Sequence, residues 1–210
     1  MAGFLRLFRA NPSLIVGGAI VATIFFLAFA APWIAPYPLH AGVFVNFADA
    51  NMAPGAKYWL GADPVGRDVL SRVLFGFRNS LLLGLVVLLI AVPVGGVYGL
   101  VAGYFTSRLG RIMMRIADVF LSIPSLVLAM VVLGLFVPSQ ILAMIAISVV
   151  WWPWYARLVY SVSRRLKGAG FVEAATVIGA SHSRILFIEI LPNCIPIVIT
   201  KAALDLGYVI

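Results

Sequence analysis

Two groups of residues in this chain could do chemistry. The first is the passage Phe171-Val172-Glu173-Ala174-Ala175-Thr176-Val177-Ile178-Gly179, followed about a dozen residues on by Leu191-Pro192-Asn193. The second is three charges set inside apolar runs: Asp118, Lys201 and Asp205. Glu173 falls near the start of a short helix, where a negative charge suits the positive end of the helix dipole. Phe171, Val172, Ala175 and Ile178 recur at helical spacing, which predicts one apolar face. Ala174 and Ala175 are small enough to let another surface approach the backbone. Gly179 can take the left-handed conformation that ends a helix, so the passage reads as two short helices joined there. A helix this short is marginal alone in water and needs a partner.

The three intramembrane charges admit two readings each. A carboxylate within a span is costly and defaults to a functional hypothesis. Asp118 lies three residues after Arg115, so a local ion pair or helix-to-helix contact competes with a substrate or proton site. Lys201 and Asp205 stand four apart and either neutralise each other or line a pathway. His182 and His40 read as solvated. The chain carries no Gly-x-x-x-x-Gly-Lys-Ser/Thr phosphate loop and no Ser/His or His-Glu-x-x-His arrangement in its apolar runs. Its single cysteine, Cys194, excludes an internal disulfide and a multi-cysteine metal site. Neither a metal nor a cofactor is expected, and the chain does not read as an enzyme.

The elements that must position these residues follow from composition. The chain is 63% hydrophobic and 10% charged, with mean hydropathy +1.11, which no soluble domain of this size matches. Several apolar runs reach the roughly 20 residues needed to cross a bilayer. Helices satisfy their own backbone in lipid, so the expected fold is an all-α membrane protein of about five transmembrane helices. Residues 1–13 form a lead carrying Arg6 and Arg9, and residues 14–34 form the first span. A cleaved signal peptide ending near Ala28-Phe29-Ala30 is the rival reading of that span. Residues 35–79 form an external loop. Within it, Val69, Leu70, Val73, Leu74 and Phe77 mark an interfacial amphipathic helix, with Asp68 and Arg72 paired at i,i+4. The core occupies 80–210: a second span to Tyr104, a third at about 112–137 kinked at Pro124, a fourth at about 141–158, and a fifth from about Asn193. Gly95, Gly99 and Gly103 repeat every four residues, the pattern that lets membrane helices pack closely. Trp151, Trp152, Trp154 and Tyr155 suit the headgroup level.

The net charge of +8 sits mostly at span ends. That favours membrane orientation over nucleic-acid binding. Arg6 and Arg9, the Arg108–Arg115 group and the Arg157–Arg184 group fall on one face. The excess marks the cytoplasm, so the N-terminus and a loop at about 159–192 are cytoplasmic.

Glu-Ala-Ala, three residues, Gly179 and then Leu191-Pro192 resembles the EAA loop of the membrane subunits of binding-protein-dependent ABC importers. Leu60-Gly61-Ala62-Asp63-Pro64-Val65-Gly66-Arg67-Asp68 is similar to a motif of the dipeptide, oligopeptide and nickel branch, with Ala62 in place of the usual threonine. Glu189 stands where that branch has a basic residue. The resemblance extends from Asn11-Pro12 through Asp205-Leu206-Gly207. It implies a permease subunit in the bacterial inner membrane, with Glu173, Ala174, Ala175 and Gly179 contacting a separate ATPase. It also implies a second homologous permease subunit, two ATP-binding subunits, an external solute-binding protein and surrounding membrane lipid as partners, and no nucleic acid. Such a subunit moves peptides or a related small solute by alternating access. An ion- or proton-coupled secondary transporter, with Asp118, Lys201 and Asp205 as relay groups, is the alternative. Family members continue into a further span, so the chain ending at Ile210 is expected to be a fragment or a shortened product.

Overall fold

The computed structural model describes residues 12–137 and 139–209. The lead up to residue 11, the turn at Pro138 and Ile210 lie outside the described residues. Among the described residues every regular element is helical. α1 covers Pro12–Ile34. Short 3-10 turns follow at Pro38–Ala41 and Phe47–Asp49. α2 covers Val69–Tyr104, α3 Arg108–Ser122, α4 Ser125–Gly134, α5 Gln140–Leu166 and α6 Gly170–Val177. α7 begins at His182–Arg184, widens into a π-helical stretch at Ile185–Ile190 and continues through Leu191–Val209. Four helices are long and apolar enough to cross a membrane, and α3 with α4 makes a fifth if the bent pair counts as one span.

Three of these elements differ from the sequence reading. The amphipathic stretch that starts at Val69 is no separate interfacial helix. It runs unbroken into the second span as one 36-residue helix. Nothing between Phe77 and Ser80 supplies the proline or glycine needed to break it. The third span is broken rather than kinked: α3 and α4 meet at 88° around Ile123 and Pro124. Ile123 is extended (φ −87°, ψ 131°), the conformation that a following proline imposes. The fifth span begins at His182, so the second half of the expected connector at about 159–192 is the first part of a long helix. Pro192 has no N–H to donate to the carbonyl four residues back. Just before it the Leu191 N–H reaches back five residues to the Leu186 carbonyl.

The chain divides into two compact units, residues 1–82 and 83–210. In the first, Ala31 and Ala35 are buried against Leu74, with Leu27, Leu70 and Phe75 around them. The polar segment after α1 is held by three aspartates. Asp49 accepts hydrogen bonds from Asn46 Nδ2 (2.8 Å), Lys57 Nζ (2.7 Å) and the Tyr58 hydroxyl (2.9 Å). Asp63 accepts from the Val65 and Arg67 backbone N–H groups and Arg67 Nε (2.8 Å), and it pairs with Arg72. Asp68, fully buried, accepts from the Ser71 N–H (2.8 Å) and hydroxyl (2.6 Å). The expected Asp68–Arg72 pair is therefore not made. Asp68 turns inward to cap its own helix, which leaves Arg72 for Asp63. His40 is not solvated either. It is buried, stacks between Tyr37 and Phe44, and its Nδ1 accepts the Asp68 N–H at 2.9 Å.

The second unit is organised by a close seam between α2 and α5. A Cβ at Gly95 would sit 2.2 Å from the Trp152 carbonyl oxygen, and one at Gly99 2.2 Å from that of Ala156. At Gly103 the Tyr160 carbonyl oxygen would be 2.7 Å away. The three glycines therefore let α5 lie against the α2 backbone. The Ser163 hydroxyl closes the seam with a 2.9 Å bond to the Leu100 carbonyl.

Candidate functional site

α6 rests on the seam through one narrow face. Val172 and Ala175 are buried in the cluster that holds Leu100, Tyr104, Val159, Val162, Ile185, Leu186, Ile190 and Cys194. The remaining positions point outward. Glu173 and Ala174 are exposed, as are Phe171, Val177 (86%) and Ile178 (77%). The expected single apolar face of Phe171, Val172, Ala175 and Ile178 is thus split. Eight residues make barely two turns, and only the two on the inner side reach the core.

The corner after α6 is a Schellman turn. Ile178 leaves helical geometry, Gly179 adopts φ +80°, the Gly179 N–H bonds the Thr176 carbonyl, and the Ala180 N–H bonds that of Ala175. Ser181 then caps α7 by accepting the Arg184 N–H at 3.3 Å. A helix, a left-handed residue and a new capped helix form a rigid knuckle with Glu173 on its outer side.

Beside the knuckle lies a cavity of about 620 Å³, lined by Tyr104, Thr106, Lys167, Glu173, Thr176 and His182 among others. His182 is exposed, but its Nδ1 lies 2.8 Å from the Tyr104 hydroxyl. Lys167 Nζ donates to Thr106 Oγ1 at 3.0 Å and sits over the Tyr104 ring. These contacts tie the start of α7 and the end of α5 to the end of α2.

The charges set inside apolar runs find partners, though not always neighbours in sequence. Asp118 on α3 pairs with Arg157 on α5, a helix-to-helix contact, and not with Arg115. Arg115 lies on the same helix, exposed, while the Arg157 guanidinium reaches Asp118 from a second helix. Lys201 and Asp205 pair along α7. Asp205 also accepts the Tyr155 hydroxyl of α5 at 2.8 Å, and both residues are fully buried. A buried tyrosine hydroxyl needs an acceptor, so Tyr155 in an apolar run was the available signal for this contact. Of the aromatic cluster it belongs to, Trp154 is exposed, while Tyr155 and Trp152 turn inward. Trp152 packs edge-on against Tyr98 and Phe120, inside the helix bundle.

The long apolar helices and the glycine seam define a multi-pass helical membrane protein. Two family models match the chain: the binding-protein-dependent transport system inner membrane component over residues 95–210, and the N-terminal membrane domain of oligopeptide transport permease C over residues 1–54. The chain belongs to the family of binding-protein-dependent transport inner membrane components. It is similar to the probable D,D-dipeptide transport system permease protein DdpC of Escherichia coli K12, at 36% identity over 95% of this chain and 66% of that protein. It is 35% identical to the di/tripeptide transport system permease protein DppC of Pseudomonas aeruginosa, over 96% of this chain and 68% of the relative. It is 32% identical to the glutathione transport system permease protein GsiD of Pectobacterium atrosepticum, over 97% of this chain and 67% of the relative. The chain thus spans about two thirds of the length of these relatives.

Proposed function

We propose that this chain is the permease subunit of an ATP-driven importer for peptides or a related small solute, coupled to a separate ATPase through α6. The observation that carries the reading is the outward face of α6. An anchored, short helix exposes Phe171, Ala174, Val177 and Ile178 around one carboxylate, Glu173. Exposed apolar patches rimmed by charge mark protein interaction sites, and a helix laid in a groove is a recurrent mode of recognition. The inner face of α6 rests on the α2–α5 seam and on α7. A push on the knuckle therefore reaches three long helices at once. The arginine excess supports a cytoplasmic knuckle and N-terminus, on the side where ATP is available.

In this reading the chain supplies part of the pathway, a second homologous permease supplies the rest, and an external binding protein delivers the solute. Two ATP-binding subunits drive the cycle. Peptides are the favoured cargo because the relatives are named for dipeptide, di/tripeptide and glutathione transport. The test is copurification of the ATPase subunit with the permease complex carrying Val177→Asp together with Ile178→Asp. Loss of the ATPase with the membrane complex still folded is the expected result. Undiminished copurification would remove α6 from the interface.

A further inference from the structure

We infer that α3 carries a binding site for the phosphate of an anionic lipid. Its residues fall into three stripes at helical spacing. Gly110, Met114 and Ala117 are buried. Leu109, Ile112, Ile116 and Val119 are exposed, each between 47% and 61%. Arg108, Arg111 and Arg115 form the third stripe, also exposed.

The orientation of these stripes is fixed. A Cβ at Gly110 would lie 2.1 Å from the Phe105 carbonyl oxygen and 2.5 Å from that of Ala102, so the helix is pressed against the end of α2 and cannot roll. The Tyr98 hydroxyl adds a 2.7 Å bond to the Met113 carbonyl. Among the described residues none of the three arginines has a carboxylate within ion-pair distance, and the one acid on α3, Asp118, pairs with Arg157. Arg111 and Arg115 stand at i,i+4, where like charges repel. An anion between them relieves that repulsion, and guanidinium groups bind phosphate oxygens in bidentate fashion. The apolar stripe alongside selects the source of the phosphate. A lipid places acyl chains next to its headgroup and covers both stripes together, which a free phosphate cannot do. The site is independent of the coupling role of α6.

The experiment uses the assembled complex in nanodiscs of phosphatidylethanolamine mixed with phosphatidylglycerol, with retained lipid counted by native mass spectrometry. The wild-type complex retains phosphatidylglycerol in preference to phosphatidylethanolamine. Each of Arg108→Gln, Arg111→Gln and Arg115→Gln lowers that preference by about fivefold. Equal retention of the two lipids by the wild type, or unchanged preference in all three variants, overturns the site. So does a variant that loses an acidic protein partner while its lipid preference is unchanged. Should a variant fail to assemble, a photoreactive phosphatidylglycerol applied to the unaltered complex decides. Adducts within residues 108–119 support the site, and adducts confined to other helices refute it.

Discussion

The α2–α5 seam and the α6 knuckle both depend on glycine, for opposite reasons. At Gly99 the backbone is ordinary helix and the space is gone: a Cβ would lie 2.2 Å from the Ala156 carbonyl oxygen. At Gly179 the space is open, with nothing within 4 Å, and the backbone is unusual, at φ +80°. The seam is complete within this chain, since its buried surface is covered by its own helices. The knuckle is half complete, with Val172 and Ala175 buried and Val177 and Ile178 bare. The finished contact is where this chain holds itself together, and the unfinished one is where we propose it is driven.

Stability of the purified complex measures that difference. Gly99→Leu should have the largest effect, about 3 kcal/mol or more, because the obstacle is backbone that cannot turn aside. Gly96 is a neighbouring position with nothing within 4 Å of its Cβ site, so Gly96→Ala should be nearly neutral. Thermal unfolding in detergent separates the two, and equal melting points would mean the seam is looser than it looks. Gly179→Ala should cost about 1–2 kcal/mol, the penalty of a left-handed backbone for a residue with a Cβ. Gly179→Asn should cost less, because asparagine tolerates that region. A loss at Gly179→Ala as large as at Gly99→Leu would mean the corner is packed, not only bent.

The polar segment after α1 offers a second contrast with the seam, through pH. Burial disfavours the charge on Asp63, but the hydrogen bonds from Arg67, Val65 and Arg72 outweigh it and hold the carboxyl well below its ordinary value. The Lys57 and Tyr58 hydrogen bonds lower Asp49 in the same direction. A carboxylate with a depressed folded pKa stabilises fully above its unfolded value, near pH 4, and loses that stabilisation as pH falls through the folded value. Amide protection factors over residues 36–68, corrected for the intrinsic pH dependence of exchange, should therefore be flat from neutral pH down to about pH 4 and fall below it. Asp63→Asn should loosen the segment by about 2 kcal/mol at neutral pH, the worth of hydrogen bonds to a charged group. It should also blunt the acid response. The seam glycines carry nothing that titrates, so amides of residues 95–103 should show no such step.

Much of this architecture was readable before any coordinates, because lipid demands long apolar runs and helices alone satisfy the backbone inside them. The glycine period at 95, 99 and 103 foretold a close contact, and Gly179 foretold a left-handed corner. Partner choice among charges was readable only in part: Lys201 and Asp205 pair as their spacing suggests, while other acids reach further. Asp63 takes Arg72 from nine residues away and Asp118 takes Arg157 from thirty-nine. Sequence spacing suggested Asp68 with Arg72 and left Asp118 between Arg115 and a contact with another helix. Local rules rank pairs within one helix, and tertiary approach decides between them. His40 shows the same limit. The two rings that enclose it, Tyr37 and Phe44, lie within four residues of it, but the Asp68 N–H comes from twenty-eight residues on.

A small change in stability is expected at Glu173, and there the comparison between seam and knuckle becomes sharpest. The Glu173 side chain is exposed, and its backbone N–H is already paired with the Ala169 carbonyl. What the carboxylate contributes to this chain is an interaction with the dipole of a short helix, worth about 0.3–1 kcal/mol. Glu173→Lys should therefore melt within a few degrees of the wild type and insert normally. If α6 docks on an ATPase through this face, the reversed charge should still abolish ATP-dependent uptake in proteoliposomes. Glu173→Gln, of the same size but uncharged, should show an intermediate loss. A variant that melts early would make Glu173 part of the fold, like the seam. One that melts late and transports normally would leave the outward face of α6 without the role proposed for it. Only the combination of an intact melt and a lost coupling assigns the residue to a surface that its own chain leaves uncovered.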